Sequence, residues 1–186
     1  MTVIGITGSL ASGKSTVAQL IAKKKYSLFN ADKVVSALYK NSKFISLIIK
    51  KFKLSNKKEI KNQVKLRIIK NKKKLEMLEA IIHPLVRKEM NNFLKIKNKI
   101  LVLELPLLIE SKLNNYFDKI IFVDARKKLR LKRYLKRNND KKTFEILNKR
   151  QLSSIVKKKS CDLIINNNYS MSILKKNIKN FIKNYE

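Results

Sequence analysis

Eight consecutive residues, Gly8-Ser9-Leu10-Ala11-Ser12-Gly13-Lys14-Ser15, followed by Thr16, match the pattern G-x-x-x-x-G-K-[ST]. In that pattern backbone N–H groups cradle a polyphosphate, the lysine reaches its outer phosphates and the hydroxyl after it ligates Mg²⁺. The chain has only three glycines in 186 residues, Gly5, Gly8 and Gly13. A loop that turns tightly and brings its backbone against phosphate is a local reason to use them, because a Cβ would collide there. Residues 2–7 before the loop are mostly apolar and β-branched, as in a buried parallel strand. Residues 17–22 after it contain no helix breaker. Strand, loop and helix in that order are the context the motif requires, with the helix N-terminus and its positive dipole end aimed at the anion.

Other chemistry-bearing residues are sparse. Asp32 follows a second apolar run in Phe29-Asn30-Ala31-Asp32. In an open α/β sheet ligands gather at the carboxyl ends of strands, so Asp32 is either a carboxylate facing an attacking hydroxyl or the N-cap of the next helix. Glu104 closes a third apolar run, placed either to hold a Mg²⁺-bound water or to sit solvated at a strand end. Four of seven arginines, Arg126, Arg130, Arg133 and Arg137, recur at spacings of four, three and four. That spacing predicts one helix face. A row of forked guanidinium groups suits a lid closing on phosphates, and the alternative is a solvated basic face. His83, the only histidine, precedes Pro84, which predicts a helix break; the imidazole is either structural or a ligand contact. Cys161, the only cysteine, reads as a small semi-buried residue and excludes an internal disulfide.

The elements that must position these groups follow from periodicity. Apolar β-type runs at residues 3–7, 26–29, 100–105, 120–123 and 163–165 alternate with helical stretches, which predicts an α/β fold with a five-stranded parallel sheet and helices on both faces. Residues 31–98 carry apolar positions at helical spacing (Phe44, Leu47, Ile48, Phe52; then Leu75, Leu78, Ile81, Ile82) and read as a helical insertion. Residues 129–159 form a second helical excursion. Residues 170–185 read as a closing amphipathic helix with Ile173, Leu174, Ile178, Phe181 and Ile182 inward. The core then comprises residues 1–30, 99–128 and 160–186.

The formal net charge is +32, from 45 basic and 13 acidic residues. Such a balance points first to nucleic acid. The excess is almost all lysine, spread along the chain beside abundant isoleucine and asparagine, three residues with A/U-rich codons. Arginines with interleaved aromatics, the usual signature of nucleic-acid surfaces, are missing. Genome composition can load such residues onto tolerant surface positions, and no specific nucleic-acid partner is expected. No apolar run approaches the ~20 residues of a membrane span and no signal-peptide layout opens the chain, so a cytoplasmic protein without a membrane partner is expected.

Taken in order, these motifs resemble the dephospho-CoA kinase family over nearly the whole chain. The loop with Ser12-Gly13-Lys14-Ser15-Thr16-Val17 is similar to the family's opening, and Asn30-Ala31-Asp32 to its Asp-Ala-Asp signature. Residues 78–86 resemble Leu-Glu-x-Ile-x-His-Pro. Pro106-Leu107-Leu108-Ile109-Glu110 with Phe117-Asp118 resembles Pro-Leu-Leu-Phe-Glu and its trailing Phe-Asp. Arg133 and Arg137 match lid arginines, and Gln151 with residues 161–167 resembles the closing segment. Ser9 departs from a usual second glycine, Asn30 from an Asp and Arg130 from a glutamine. The resemblance implies a P-loop kinase with a helical substrate-binding insertion and an Arg-bearing lid. It further implies phosphorylation of the ribose 3′-hydroxyl of dephospho-CoA, with ATP and Mg²⁺. In that reading Ala11, Ser12, Gly13, Lys14, Ser15 and Thr16 wrap the phosphates and Ser15 holds the metal. Lys14, Arg133 and Arg137 neutralise charge, and Asp32 is the base. Asp32, His83 and Glu110 hold the acceptor. A monomer or weak homo-oligomer is expected. The competing readings are a kinase for another small acceptor, such as a nucleoside monophosphate or shikimate, and a basic nucleic-acid-binding ATPase.

Overall fold

The computed structural model describes residues 1–23, 25–54, 58–137 and 140–183. The chain divides into two compact units, Met1–Asn30 with Ile96–Glu186, and Ala31–Lys95.

The first unit is built on five parallel strands: β1 (Thr2–Gly8), β2 (Ser27–Asn30), β3 (Ile100–Glu104), β4 (Lys119–Asp124) and β5 (Leu163–Asn166), in the spatial order β2-β3-β1-β4-β5. The central strands are apolar on both faces because both are covered, which is why they read as continuous runs rather than alternating ones. Register sets Ile4 beside Val102 and Ile6 beside Ile121. These residues, with Ile100, Val123 and Ile165, face two helices: α1 (Lys14–Ala22), through Val17, Ala18 and Ile21, and α9 (Met171–Lys183), through Leu174, Ile178 and Ile182. Burying each of the three α9 side chains contributes about 1.5–3 kcal/mol. Ile173, expected inward, is 43% exposed. The stripe advances by four residues per turn, and Ile173 lies about 100° from Leu174 at its edge. The expected tail reached Tyr185, which lies outside the described residues.

On the other face Gly5 meets Leu108 and Phe117, where an added Cβ would come within 2.8–2.9 Å of both side chains. Asp118 fastens the same segment, accepting from Val3 N–H at 2.7 Å and returning its own N–H to Val3 O at 3.0 Å. Gly5 and the Phe-Asp pair are therefore packing devices. Beyond β4 come α6 (Lys127–Leu135), α7 (Lys141–Arg150) and α8 (Ser154–Lys159). Asp140 and Ser153 cap the last two through Thr143 N–H and Val156 N–H. Of the four arginines expected on one helix face, α6 carries only Arg130 and Arg133. Arg126 is its N-cap and Arg137 lies in the turn beyond its end, because the helix stops at Leu135.

The second unit is helical: α2 (Ala31–Leu38), α3 (Ser42–Phe52), α4 (Ile60–Lys70) and α5 (Lys72–Phe93). Asn41 and Asn71 cap α3 and α5. Phe44, Ile48, Phe52, Leu78 and Ile82 form its own core at the expected spacing, with Val64 added and Ile81 packed partly buried against it, whereas Leu47, expected in the same stripe, is 39% exposed. The predicted break at His83-Pro84 does not occur, and α5 runs through Pro84. Proline removes the hydrogen bond to Ala80 O, but Ala80 and Pro84 are both exposed, so water takes the freed carbonyl while Leu78, Ile82 and Met90 stay packed. Among the described residues no helix is long and apolar enough to cross a membrane.

Candidate active site

The loop leaves the carboxyl end of β1 and re-enters helix at Gly13, which caps α1 with φ 97°, a left-handed conformation suited to glycine. A Cβ there would also lie 2.2 Å from Asn167 Nδ2. Gly13 supplies no side-chain cap and the first turn of α1 holds no acid, so its leading N–H groups keep their capacity to donate to an anion. Lys14 is 8% exposed and curls back over the loop, donating from Nζ to Gly8 O at 3.2 Å and Ser9 O at 3.1 Å. Ser9 keeps a negative φ, so the absent glycine costs no backbone strain at that position; Ala11, at φ 59°, is the loop's non-glycine residue in the left-handed region.

Ser15 is exposed and its Oγ donates to Glu104 Oε1 at 2.7 Å. Glu104 is 2% exposed and its other oxygen accepts from Asn30 Nδ2. The asparagine that departs from the family signature thus supplies a donor where a second acid would repel Glu104. A hydroxyl and a carboxylate side by side are hard oxygen donors, the type Mg²⁺ takes while keeping several waters and phosphate oxygens. Among the described residues no cluster of three His, Cys, Asp or Glu side chains forms a self-sufficient metal cage. The adjacent Ser15 hydroxyl and Glu104 carboxylate fit an ion that keeps most of its ligands from water and phosphate.

Arg133 of α6 and Asn167, just beyond β5, meet the loop at the Ser12 carbonyl. Arg133 Nη1 donates to Ser12 O at 3.2 Å and its Nη2 to Asn167 O at 3.0 Å. Asn167 Nδ2 donates to the same Ser12 carbonyl at 2.8 Å. Burial first, and the like charge of Arg137 second, lower the Arg133 pKa from its ordinary value. The Arg133 guanidinium, held against the loop beside the uncapped start of α1, forms a field complementary to an anion. Ser12 itself is fully buried, and its Oγ finds no hydrogen-bond partner among the described residues. Thr16 is half-buried one residue into the helix.

The remaining expected residues belong to other elements. Asp32 is the second residue of α2, two positions beyond the last residue of β2, with an exposed side chain. It sits in the first turn rather than at the N-cap. His83 is half-buried on α5. Glu110, expected to hold the acceptor, is committed to the fold: Oε1 lies 2.6 Å from Nζ of the fully buried Lys157 and accepts from Leu152 N–H at 3.2 Å, while Oε2 is buried. The structure also brings in Gln151 and Asn167, which the sequence marks only as motif positions, and Arg130, which it counts only in a row of arginines. Their partners in the loop are 120 to 155 residues away in sequence, and no local pattern announces such contacts.

A family model described as Dephospho-CoA kinase matches residues 2–172. The dephospho-CoA kinase of Bartonella henselae is 37% identical over 172 residues, covering 89% of this chain and 88% of that protein. That of Bartonella quintana is 35% identical over 191 residues, covering 99% and 98%. The solved structure of a dephospho-CoA kinase from Campylobacter jejuni shares the fold, with a TM-score of 0.66 at 24% identity, covering 100% of this chain and 97% of that one.

Proposed function

Because the chain belongs to the dephospho-CoA kinase family, we propose that it transfers the γ-phosphoryl group of ATP to the ribose 3′-hydroxyl of dephospho-CoA, yielding coenzyme A and ADP. The observation that carries this reading is the convergence of Lys14, Arg133 and the uncapped start of α1 on one loop. Phosphoryl transfer demands little covalent chemistry from a protein; position and charge neutralisation dominate.

In this reading the N–H groups of residues 11–16 bind the β- and γ-phosphates. Lys14, Arg133 and Arg137 offset charge that develops on the γ-phosphoryl oxygens and on the leaving β-phosphate. Ser15, with Glu104 behind it, would hold Mg²⁺, which when bound neutralises phosphate charge. The 3′-oxygen of the acceptor bonds to the γ-phosphorus as the bond from that phosphorus to the β–γ bridging oxygen breaks. The hydroxyl proton passes to the Asp32 carboxylate late in the transfer, since a free alkoxide is out of reach at neutral pH. His83 contacts the acceptor from the helical unit. Closure of the segment bearing Arg133 and Arg137 excludes water and suppresses hydrolysis of ATP.

The test is a coupled assay of ADP release against a panel of acceptors (dephospho-CoA, nucleoside monophosphates, shikimate and water), run on the parent chain and on Asp32→Asn. Dephospho-CoA should give turnover far above the other acceptors. Asp32→Asn should lower kcat by about 10²–10⁴-fold, the usual worth of a positioned base, with the melting temperature unchanged. Near-normal turnover in folded Asp32→Asn removes that residue from the mechanism; preference for another acceptor replaces the substrate assignment.

A further inference from the structure

The peptide joining Leu10 to Ala11 is the central one of the turn that shapes the loop. Ser12 N–H donates to Ser9 O at 3.1 Å, which closes residues 9–12 into a four-residue turn. Leu10 keeps a negative φ while Ala11 lies at φ 59°. That sign pattern belongs to a type II turn, whose central peptide is flipped relative to type I and whose second central position favours glycine. An alanine resists the flipped arrangement, so something else must hold it.

Two distant side chains grip the peptides flanking Leu10. Arg130 Nη1 donates to Leu10 O at 3.2 Å, and Gln151 Oε1 accepts from Leu10 N–H at 2.9 Å. The Arg130 side chain is itself fixed. Its Nε donates to Ala125 O at 3.1 Å, Nη1 also donates to Asn148 Oδ1 at 2.7 Å, and the guanidinium lies 5.7 Å from the centre of the Phe144 ring. It is only 8% exposed. A planar trans peptide points its C=O and N–H in opposite directions. A Leu10 carbonyl drawn toward Arg130 therefore turns Ala11 N–H away from it, and among the described residues that N–H meets no acceptor.

We infer that Arg130 is a positioning residue for the phosphoryl donor: by holding the Leu10 carbonyl it keeps the Ala11 N–H turned outward as a donor to phosphate. Arg130 acts through the loop, unlike Arg133, which stands at the mouth of the site. The inference rests on the proposal that this loop binds ATP.

Calorimetric titration of MgADP, paired with thermal melting, tests it. Arg130→Met keeps much of the side-chain volume and removes every donor. Its Kd for MgADP should rise about tenfold, the scale of one charge-assisted hydrogen bond. Adding Ala11→Gly should bring the Kd back to within about threefold of the parent value, because glycine holds a positive φ unaided. A residue that merely supports folding would show no such rescue. An unchanged Kd in folded Arg130→Met, or a loss that Ala11→Gly leaves uncorrected, overturns the inference. Should Arg130→Met fail to fold, Arg130→Lys with and without Ala11→Gly carries the same comparison. A parent protein that binds no MgADP refutes the role of the loop itself, whereas parental binding matched by Arg130→Met refutes only the positioning.

Discussion

Neutralising Glu110 should cost this protein a large part of its stability. Lys157 is 0% exposed, and its ammonium lies 2.6 Å from Glu110 Oε1. The contact is ionic rather than a well-formed hydrogen bond: among the described residues neither Lys157 Nζ nor Glu110 Oε2 has a hydrogen-bond partner. Glu110→Gln keeps the acceptor for Leu152 N–H but leaves a cation buried without its counter-charge. Breaking a buried pair from one side costs about 3–5 kcal/mol. For a chain of this size that lowers the melting temperature by about 6–20 °C. Urea unfolding at pH 7, followed by circular dichroism, measures it. The companion variant replaces both partners, Glu110→Leu with Lys157→Met. It should fall within about 1 kcal/mol of the parent or exceed it, since it removes two poorly satisfied charges together; Leu152, 41% exposed, can turn its N–H to water. A loss under about 1 kcal/mol in Glu110→Gln, or a double variant weaker than the single one, would refute the reasoning.

Burial, with the nearby Asp162 charge as a second cause, pushes the Cys161 thiol up to about 11. The neutral thiol is the favoured form in the folded state, so its stabilising contribution is full below pH 9 and fades as pH rises toward 11; at pH 8 alkylation by iodoacetamide should run about a hundredfold slower in the native protein than in urea, and equal rates would contradict this. Pro84→Ala restores a backbone N–H inside α5 at an exposed position and should raise stability by about 1–3 kcal/mol in denaturant titration; unchanged or lower stability would show that the proline carries no cost there. Gly13→Ala meets both a left-handed φ and the Asn167 amide, and should abolish MgADP binding in calorimetry while the protein stays folded; retained affinity would show that the loop entrance is pliable.

Much of the fold is visible in the chain because parallel strands buried on both faces leave continuous apolar runs. All five runs became strands, with limits shifted by no more than one residue. The loop is visible because its glycines and lysine answer to local geometry. Where the sequence misleads, tertiary contact overrides local preference. Pro84 is carried through a helix whose two halves are both packed. The periodic arginines extend past the end of α6, so spacing alone overstates the helical row. Glu110 looks like a free carboxylate until Lys157, 47 positions on, is folded against it. The clamps on the loop, Arg130, Gln151 and Asn167, are the least legible group, since each acts on a backbone atom and backbone atoms leave no mark in a sequence.

The most direct measurement is to incubate the purified chain with MgATP and dephospho-CoA and identify the product by ³¹P NMR and mass spectrometry. The account predicts coenzyme A bearing a new phosphomonoester on the ribose 3′-oxygen, formed in equal amount to ADP and absent with Lys14→Ala. ADP released without coenzyme A, or a phosphate on any other oxygen, would contradict it.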